Sequence, residues 1–569
     1  MLWESFITGS SELKFAAAAL LLIPLLMLPF TEDMFVFPKV SVSMLLISCS
    51  LSIFFIRLAF SRNAELTLIR PALTVSALVI LISAFSLWIG CGGYQSVQSF
   101  SILLSFVIFF TISLSMLRPD SGSIANAWRL IAFVSFIVSL YGWIQTMGFD
   151  VFPVEFPKYL QEKRYFSTMG NKNFVSYFLA LTLLSYNYFG GRWRMAAALP
   201  VLLVLRWFTR GAVLIIVLQA LCLVWNKRND KEYRKLTAAI LIVICAGAVI
   251  LASMRGHVRQ LPDTEQKGRY KDSLIQRELI FRSGILMCLK NPLGVGLGNF
   301  GNQYFPAQGE LIASDERFAQ YLCNAGHAHN DFLEVICEMG LFQGIILIGA
   351  VLFLCLKAAA GNQYLAPVLA GFAIACCISF PMHLPSTGIF FLFILFIGMR
   401  DNTDRISIRI KTFHRFTAFA LALFFIFLSL YQVMRISGNI YLRKALQTGN
   451  DEFYKRSLSL FPGEERSQFE FGVHLLNTGR VQAAIHYLSA AAKRSLDPSR
   501  FYYLGLSYIK AGMGTAARMC FEKTVKLDPY HYHAHFYLAR MMEQNGELEA
   551  ADAEYHMLNR IIKEKLWRM

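Results

Sequence analysis

The strongest constraint on this chain is a long succession of apolar runs broken by short basic clusters. A helix rises about 1.5 Å per residue, so about 20 apolar residues cross a hydrocarbon core of roughly 30 Å. Runs that approach this length lie at 15–30, 40–55, 72–89, 102–117, 131–147, 174–189, 195–205 and 212–225. Others follow at 236–254, 341–356, 365–380, 388–399 and 416–434, which predicts about 12–13 spans, with 195–205 and 388–399 the shortest. The first run follows acidic residues and lacks a small-residue cleavage site, so it reads as a span and not as a cleaved leader. Composition agrees. At 56% hydrophobic and 16% charged residues, with a mean hydropathy of +0.47, the chain is too apolar for an ordinary soluble fold.

The formal net charge of +17 raises the question of nucleic acid. The basic residues gather between apolar runs and form no separate basic domain with a reading motif, so no nucleic-acid partner is expected. They orient the chain instead. With the N-terminus in the cytoplasm, Arg57, Arg62 and Arg70 face inward. So do the cluster Lys227–Lys235 and the stretch Arg400–Arg415, as the positive-inside rule requires. The segment 255–340 then lies outside, together with everything after Met434. The 11 cysteines sit mostly in apolar runs, without the spacing of a metal site. Cys288 and Cys323 in the external loop are a candidate pair, two free thiols being the alternative.

Beyond Met434 a helical repeat begins. Leu504, Gly505, Tyr508, Ala517, Phe521 and Pro529 follow the tetratricopeptide pattern of large, small and aromatic positions closed by proline. One period later stand Leu538, Ala539, Gly546, Ala551 and Tyr555. One period earlier stand Phe471, Gly472, Gly479, Ala484 and Leu488, and Gly438, Tyr441, Tyr454 and Pro462 suggest a degenerate repeat before them. The expected fold is therefore all-α: a polytopic membrane helix bundle over 1–435 with a large external loop at 255–340, then an α-solenoid over 436–569. Such arrays present surfaces to partners, so a protein partner is expected, a plain structural cap being the alternative.

Charged residues beside spans are costly and are functional candidates by default. Four places qualify: Gly170-Asn171-Lys172-Asn173; Arg210-Gly211-Ala212; Arg277 to Arg282 with the glycine-rich 291–300; and His327-Ala328-His329-Asn330 with Glu334 and Glu338. Each has a plainer reading. An arginine at a span end snorkels to headgroups, a Gly-x-Gly stretch after Asn-Pro is a turn, and Glu334 and Glu338 at a helix start favour its dipole. No clustered carboxylates suggest a metal; Asp263, Asp272 and Glu278 are scattered.

The block from Arg277 to Phe300, followed by His329-Asn330 and the stretch 338–344, resembles the O-antigen ligase family. That family also includes O-antigen polymerases and bacterial protein O-oligosaccharyltransferases. The resemblance runs from about Gly170 to about Gly344 and takes in Arg210-Gly211-Ala212 and Asn171-Lys172-Asn173. Phe281 stands where the family usually has tryptophan. The resemblance implies metal-independent, inverting glycosyl transfer without a cofactor on the periplasmic face of a bacterial inner membrane. The donor would be a glycan on an undecaprenyl-type pyrophosphate, and the favoured acceptor lipid A–core. Arg277 and Arg210 would meet the departing pyrophosphate, since guanidinium groups clamp phosphate oxygens in pairs. His329 would take the acceptor's proton, or else position the acceptor. Arg282, Asn330, His327, Asn173 and Gly296 complete the substrate-binding candidates. Polymerase and protein-transfer variants remain open. A transporter would carry mid-membrane charges and an internal repeat, and a non-catalytic scaffold would leave the Arg and His cluster without a role.

Overall fold

The computed structural model describes residues 11–61, 65–90, 93–117, 119–150, 166–189, 191–226 and 263–564. In these segments the chain is all-α apart from one two-stranded ladder. The helices are α1 (Ser11–Leu20), α2 (Val36–Phe60), α3 (Arg70–Ile89), α4 (Tyr94–Met116), α5 (Ser121–Thr146), α6 (Lys172–Thr182), α7 (Ala198–Trp207) and α8 (Arg210–Asn226). They continue as α9 (Asp263–Lys290), α10 (Phe300–Gln303), α11 (Phe305–Ser314), α12 (Asp331–Met339), α13 (Leu341–Gly361), α14 (Ala366–Ile378), α15 (Pro385–Met399) and α16 (Thr412–Thr448). The repeats supply α17 (Asp451–Leu460), α18 (Glu465–Asn477), α19 (Val481–Ala492), α20 (Pro498–Lys510), α21 (Gly514–Leu527), α22 (Tyr532–Gln544) and α23 (Leu548–Lys563).

By length and composition, α2, α3, α4, α5, α13 and α16 are able to cross a membrane. The apolar helices Arg210–Leu221, Ala366–Ile378 and Pro385–Met399 are shorter. The span expected over 236–254 and the basic cluster at 227–235 lie outside the described residues. Three other expected spans are corrected. The run 15–30 holds a helix only to Leu20, and Pro24 opens a separate short turn at Ile23–Leu25, where its missing N–H cannot continue α1. The run 174–189 is α6 followed by a 3-10 stretch, Leu183–Tyr188. At that change the Thr182 hydroxyl donates to Phe178 O at 2.8 Å and the Ser185 hydroxyl to Thr182 O at 2.6 Å, so side chains occupy carbonyls within the helix. The run 195–205 yields only the 10 residues of α7.

The chain divides into two compact units. The first comprises Met1–Ile82, Ser101–Gln260 and Ile346–Ile436. Its main core joins α1, α2, α4 and α16 through Leu13, Met44, Ile47, Leu51, Ile112 and Phe425. Phe55 and Phe425 stack with centroids 5.8 Å apart. Strand β1 (Glu65–Ile69) pairs antiparallel with β2 (Arg405–Arg409), Thr67 opposite Ser407.

The second unit comprises Ser83–Phe100, Leu261–Ile345 and Ser437–Met569. The loop between spans and the repeats therefore belong to one compact body. The periodic small residues do what the tetratricopeptide pattern demands. A Cβ at Gly472 would lie 2.6 Å from Leu488 Cγ, and one at Gly505 would lie 2.8 Å from the Phe521 ring, so neither helix pair closes around a larger side chain. Ala517 and Ala539 are fully buried for the same reason. The degenerate first repeat is also present: Gly438 on α16 packs on Phe461 and Ser457, and Tyr454 stacks on Phe471 at 5.0 Å.

Candidate functional site

The sequence candidates fall in both units, and each unit's set has its own geometry. In the first unit, Asn171 caps α6, its side chain accepting from Asn173 N at 2.9 Å. Gly170 adopts φ +74°, and a Cβ there would lie 2.7 Å from the Phe35 ring, so the turn tolerates only glycine. The residues leading in are pinned from below. Gln145 Oε1 accepts from Ser167 N at 2.7 Å, and Lys39 Nζ donates to Thr168 O at 2.7 Å and also to Leu26 O. Lys39, almost fully buried, was missed because it sits just ahead of an apolar run and reads there as a lip residue.

Asn173 meets the second motif through Thr209. The Thr209 hydroxyl donates to Ser176 Oγ at 3.0 Å and lies 3.5 Å from Asn173 Oδ1. Phe208, at φ +52°, breaks the chain between α7 and α8 so that Arg210 opens α8. A Cβ on Gly211 would lie 2.3 Å from the Tyr177 hydroxyl and 2.5 Å from Ile378 Cδ1, which explains the glycine. Arg210 is exposed, over the Phe208 ring at 5.6 Å. A cation at a helix N-terminus opposes the helix dipole, so this corner concentrates positive charge and favours an anion.

In the second unit, α9 carries both candidate arginines, in different settings. Arg282 pairs with Glu278 at 2.7 Å and lies 5.8 Å from the centroid of the Phe318 ring, as a structural arginine does. Arg277 is exposed and forms no ion pair among the described residues. It is close enough to His329 to disfavour that ring's protonation.

The histidine turn is held by α12. Asn330 caps this helix, its side chain accepting from Leu333 N at 2.9 Å, so its oxygen is committed to the backbone. Glu334, only 2% exposed, does not act as the dipole partner expected from its position at the helix start. Its carboxylate reaches back to the turn, accepting from Ala328 N at 2.8 Å and lying 2.8 Å from His327 Nδ1. Two partners satisfy a buried carboxylate that would otherwise be costly. His329 itself adopts φ +53°. Burial first, then Arg277 and His327, lower its pKa to about 4 against the opposing pull of Glu334. It is neutral near pH 7.

Glu338 is likewise buried and bonded, accepting from Phe300 N at 3.0 Å. The glycine-rich stretch lies beside it. Val295 N donates to Cys337 O at 2.9 Å, Gly296 N to Glu338 O at 3.1 Å, and Leu341 N to Pro292 O at 2.9 Å. A Cβ at Gly294 would lie 2.5 Å from Glu338 O, and one at Gly296 would lie 2.7 Å from Gly90 Cα. The glycines serve close backbone packing, as the turn reading of this stretch expects, and the Gly296 amide is committed to Glu338 O. Cys288 hydrogen-bonds with Cys337, whereas Cys323 lies with Gln308 Nε2 at 3.5 Å, so of the two readings left open for Cys288 and Cys323 the structure has two thiols and no disulfide between them.

The three non-glycine residues with positive φ among the described residues are Ser167, Phe208 and His329. Each stands at, or within four residues ahead of, a motif singled out in the sequence. Strained backbone of this kind costs about 1–3 kcal/mol per residue and gathers at functional sites.

Residues 195–348 match the O-antigen ligase family. No curated protein matches the chain. Similar solved structures include pilF of Pseudomonas aeruginosa, 22% identical with a TM-score of 0.21, covering 25% of this chain and 68% of that one. MamA from Desulfovibrio magneticus RS-1 is 22% identical with a TM-score of 0.20, covering 24% and 75%. The APC/C hetero-tetramer Cut9–Hcn1 is 13% identical with a TM-score of 0.20, covering 86% and 96%.

Proposed function

We propose, from the O-antigen ligase domain carried by residues 195–348, that this multi-pass membrane protein transfers a glycan from a lipid pyrophosphate to an acceptor hydroxyl, with His327 as the base. Glycosyl transfer from a lipid-linked donor is the chemistry of that domain. The observation that carries the residue assignment is the His327–Glu334 pair beside Arg277 and a neutral His329.

A buried carboxylate against Nδ1 fixes the imidazole's proton there and presents Nε2 as an acceptor. The acceptor's O–H gives its proton to His327 Nε2 as the oxygen forms a bond to the anomeric carbon. The bond from that carbon to the pyrophosphate oxygen breaks, and the lipid pyrophosphate departs with the electron pair. Arg277 meets the charge that grows on the leaving group, where a planar guanidinium offers paired donors. His329, held neutral, contributes hydrogen bonding, which moves the base role from His329 to its neighbour. In the first unit, Arg210 at the start of α8 is proposed on its own geometry as an anion-binding side chain.

Attack by the acceptor from the face opposite the pyrophosphate inverts the anomeric centre, and no step needs a metal. The reading places the protein in a bacterial inner membrane with the loop and repeats on the periplasmic side, following the positive-inside orientation. Lipid A–core is the acceptor we favour. The test is to incubate membranes holding the protein with a lipid-linked glycan and to look for product on lipid A–core, on longer lipid-linked chains and on protein. Product on lipid A–core supports ligation, product on the other two names a polymerase or a protein glycosyltransferase, and no product on any acceptor overturns the proposal.

A further inference from the structure

We infer that the repeat array acts as an internal brace, and that Gly309 and Arg560 are positioning residues for the turn carrying His327 and His329. The inference rests on the site proposed above and assigns the repeats a task within the chain itself.

Five contacts inside the second unit support it. Leu279, Ile312 and Phe318 from the loop share a sealed core with Tyr530 and Ile561 from the repeats, and all but Tyr530 are fully buried. Leu279 lies two residues beyond Arg277, so this core anchors the very turn of α9 that presents the guanidinium. Helix α11 lies against the end of α21 so closely that a Cβ on Gly309 would meet Lys526 O at 2.7 Å and Leu527 O at 2.8 Å. The backbone is bonded directly, Leu496 N donating to Asn302 O at 3.3 Å. Asn324 Nδ2 donates to Asp497 Oδ2 at 3.3 Å, three residues ahead of His327, and Arg560 pairs with Glu316.

The loop needs such support. Between Asn291 and Asn330 its regular structure is two short helices and one 3-10 turn, α10 having 4 residues and α11 having 10. Helices so short are marginal by themselves in water. A reacting side chain misplaced by about 1 Å loses about a hundredfold in rate, so the loop must be held from outside. The repeats hold it at 302, 309, 316 and 324, and they hold α9 at 279. The occupant of this part of the array is the chain's own loop.

The test uses full-length protein in lipid nanodiscs, following hydrogen exchange by segment together with turnover and donor KM. Gly309→Val should raise exchange over 305–330 while 465–492 stays protected. Turnover should fall about tenfold or more with donor KM changed less than about twofold. Arg560→Glu should give a smaller loss of the same kind, and adding Glu316→Arg should restore both readouts, which a general folding defect would not allow. Unchanged exchange in Gly309→Val overturns the brace. So does released exchange with undiminished turnover, and, if Gly309→Val unfolds the repeats as well, so does a failure of the charge swap to rescue Arg560→Glu. If wild-type protein transfers no glycan, the site proposal falls, while the exchange comparison still decides whether the repeats hold the loop.

Discussion

Glu334 places one carboxylate oxygen 2.8 Å from His327 Nδ1 and the other 2.8 Å from the amide of Ala328, the residue between the two histidines. One side chain thus sets both the orientation of an imidazole and the backbone of the turn that carries it. Glu334→Gln keeps one acceptor and turns the other into a donor, leaving either Ala328 N–H or His327 Nδ1–H unmet. A buried donor without a partner costs about 1–3 kcal/mol, so the melting temperature should drop. Transfer should fall roughly a hundredfold, as when a general base is removed. The double variant with His327→Ala should be no slower than His327→Ala alone, because the two act as one unit. Additive losses in the kinetic cycle would separate them.

His329 gives a pH signature. Its folded pKa of about 4 lies below the ordinary histidine value of 6.5, so below pH 6.5 the unfolded chain binds the proton that the folded chain refuses. Stability is therefore lost as pH falls from 6.5 towards 4 and is constant above. His531 is lowered in the same way by burial, so the comparison must be made against a variant. His329→Asn tolerates the positive φ and should flatten the thermal-unfolding profile between pH 6.5 and 4. Arg277→Ala should raise the lower end of that window, so that less stability is lost between pH 6.5 and 4. Identical profiles for wild type and His329→Asn would count against a buried, neutral His329.

Gly294 and Gly479 separate packing from backbone conformation. Both have positive φ, at +91° and +80°. Gly479 has open space around a Cβ, whereas Gly294 has Glu338 O and Gly340 N at 2.5 Å. Alanine at Gly479 should cost only the conformational term, about 1 kcal/mol. Alanine at Gly294 should cost several times more and should also slow transfer, since it displaces the end of α12. Equal losses in thermal unfolding would show that the close approach contributes nothing.

The hydrogen bond from Cys337 holds the Cys288 thiol below the ordinary cysteine range, against the opposing effect of burial. Cys337 is pushed upward by the same contact and by burial. In the alkylation rate of Cys288 against pH, Cys337→Ala should move the midpoint upward. A midpoint that does not move would mean that the two sulfurs do not share a proton.

Much of the architecture was legible because it is periodic. Gly472, Gly505, Ala517 and Ala539 recur where paired helices touch, and the apolar runs at 40–55, 102–117 and 416–434 mark spans by length alone. Motif residues such as His327 and His329 were legible as types. Their contacts were not. Glu334 at a helix start reads as a dipole partner, and only the turn of the chain brings it back to His327. Gly296 in a glycine-rich stretch reads as part of a turn, and nothing local announces that Gly90, far earlier in the chain, packs against it. Lys39, and the contacts of Gly309 with Leu527, join residues far apart in sequence, and a long-range contact leaves no period to read.

The most direct test of the account is the initial rate of lipid pyrophosphate release, coupled to glycan transfer, for wild type and His327→Ala in proteoliposomes with saturating donor and acceptor. The account predicts a rate lower by roughly a hundredfold or more in His327→Ala, with donor binding retained. A variant that releases lipid pyrophosphate and forms product at the wild-type rate would contradict it.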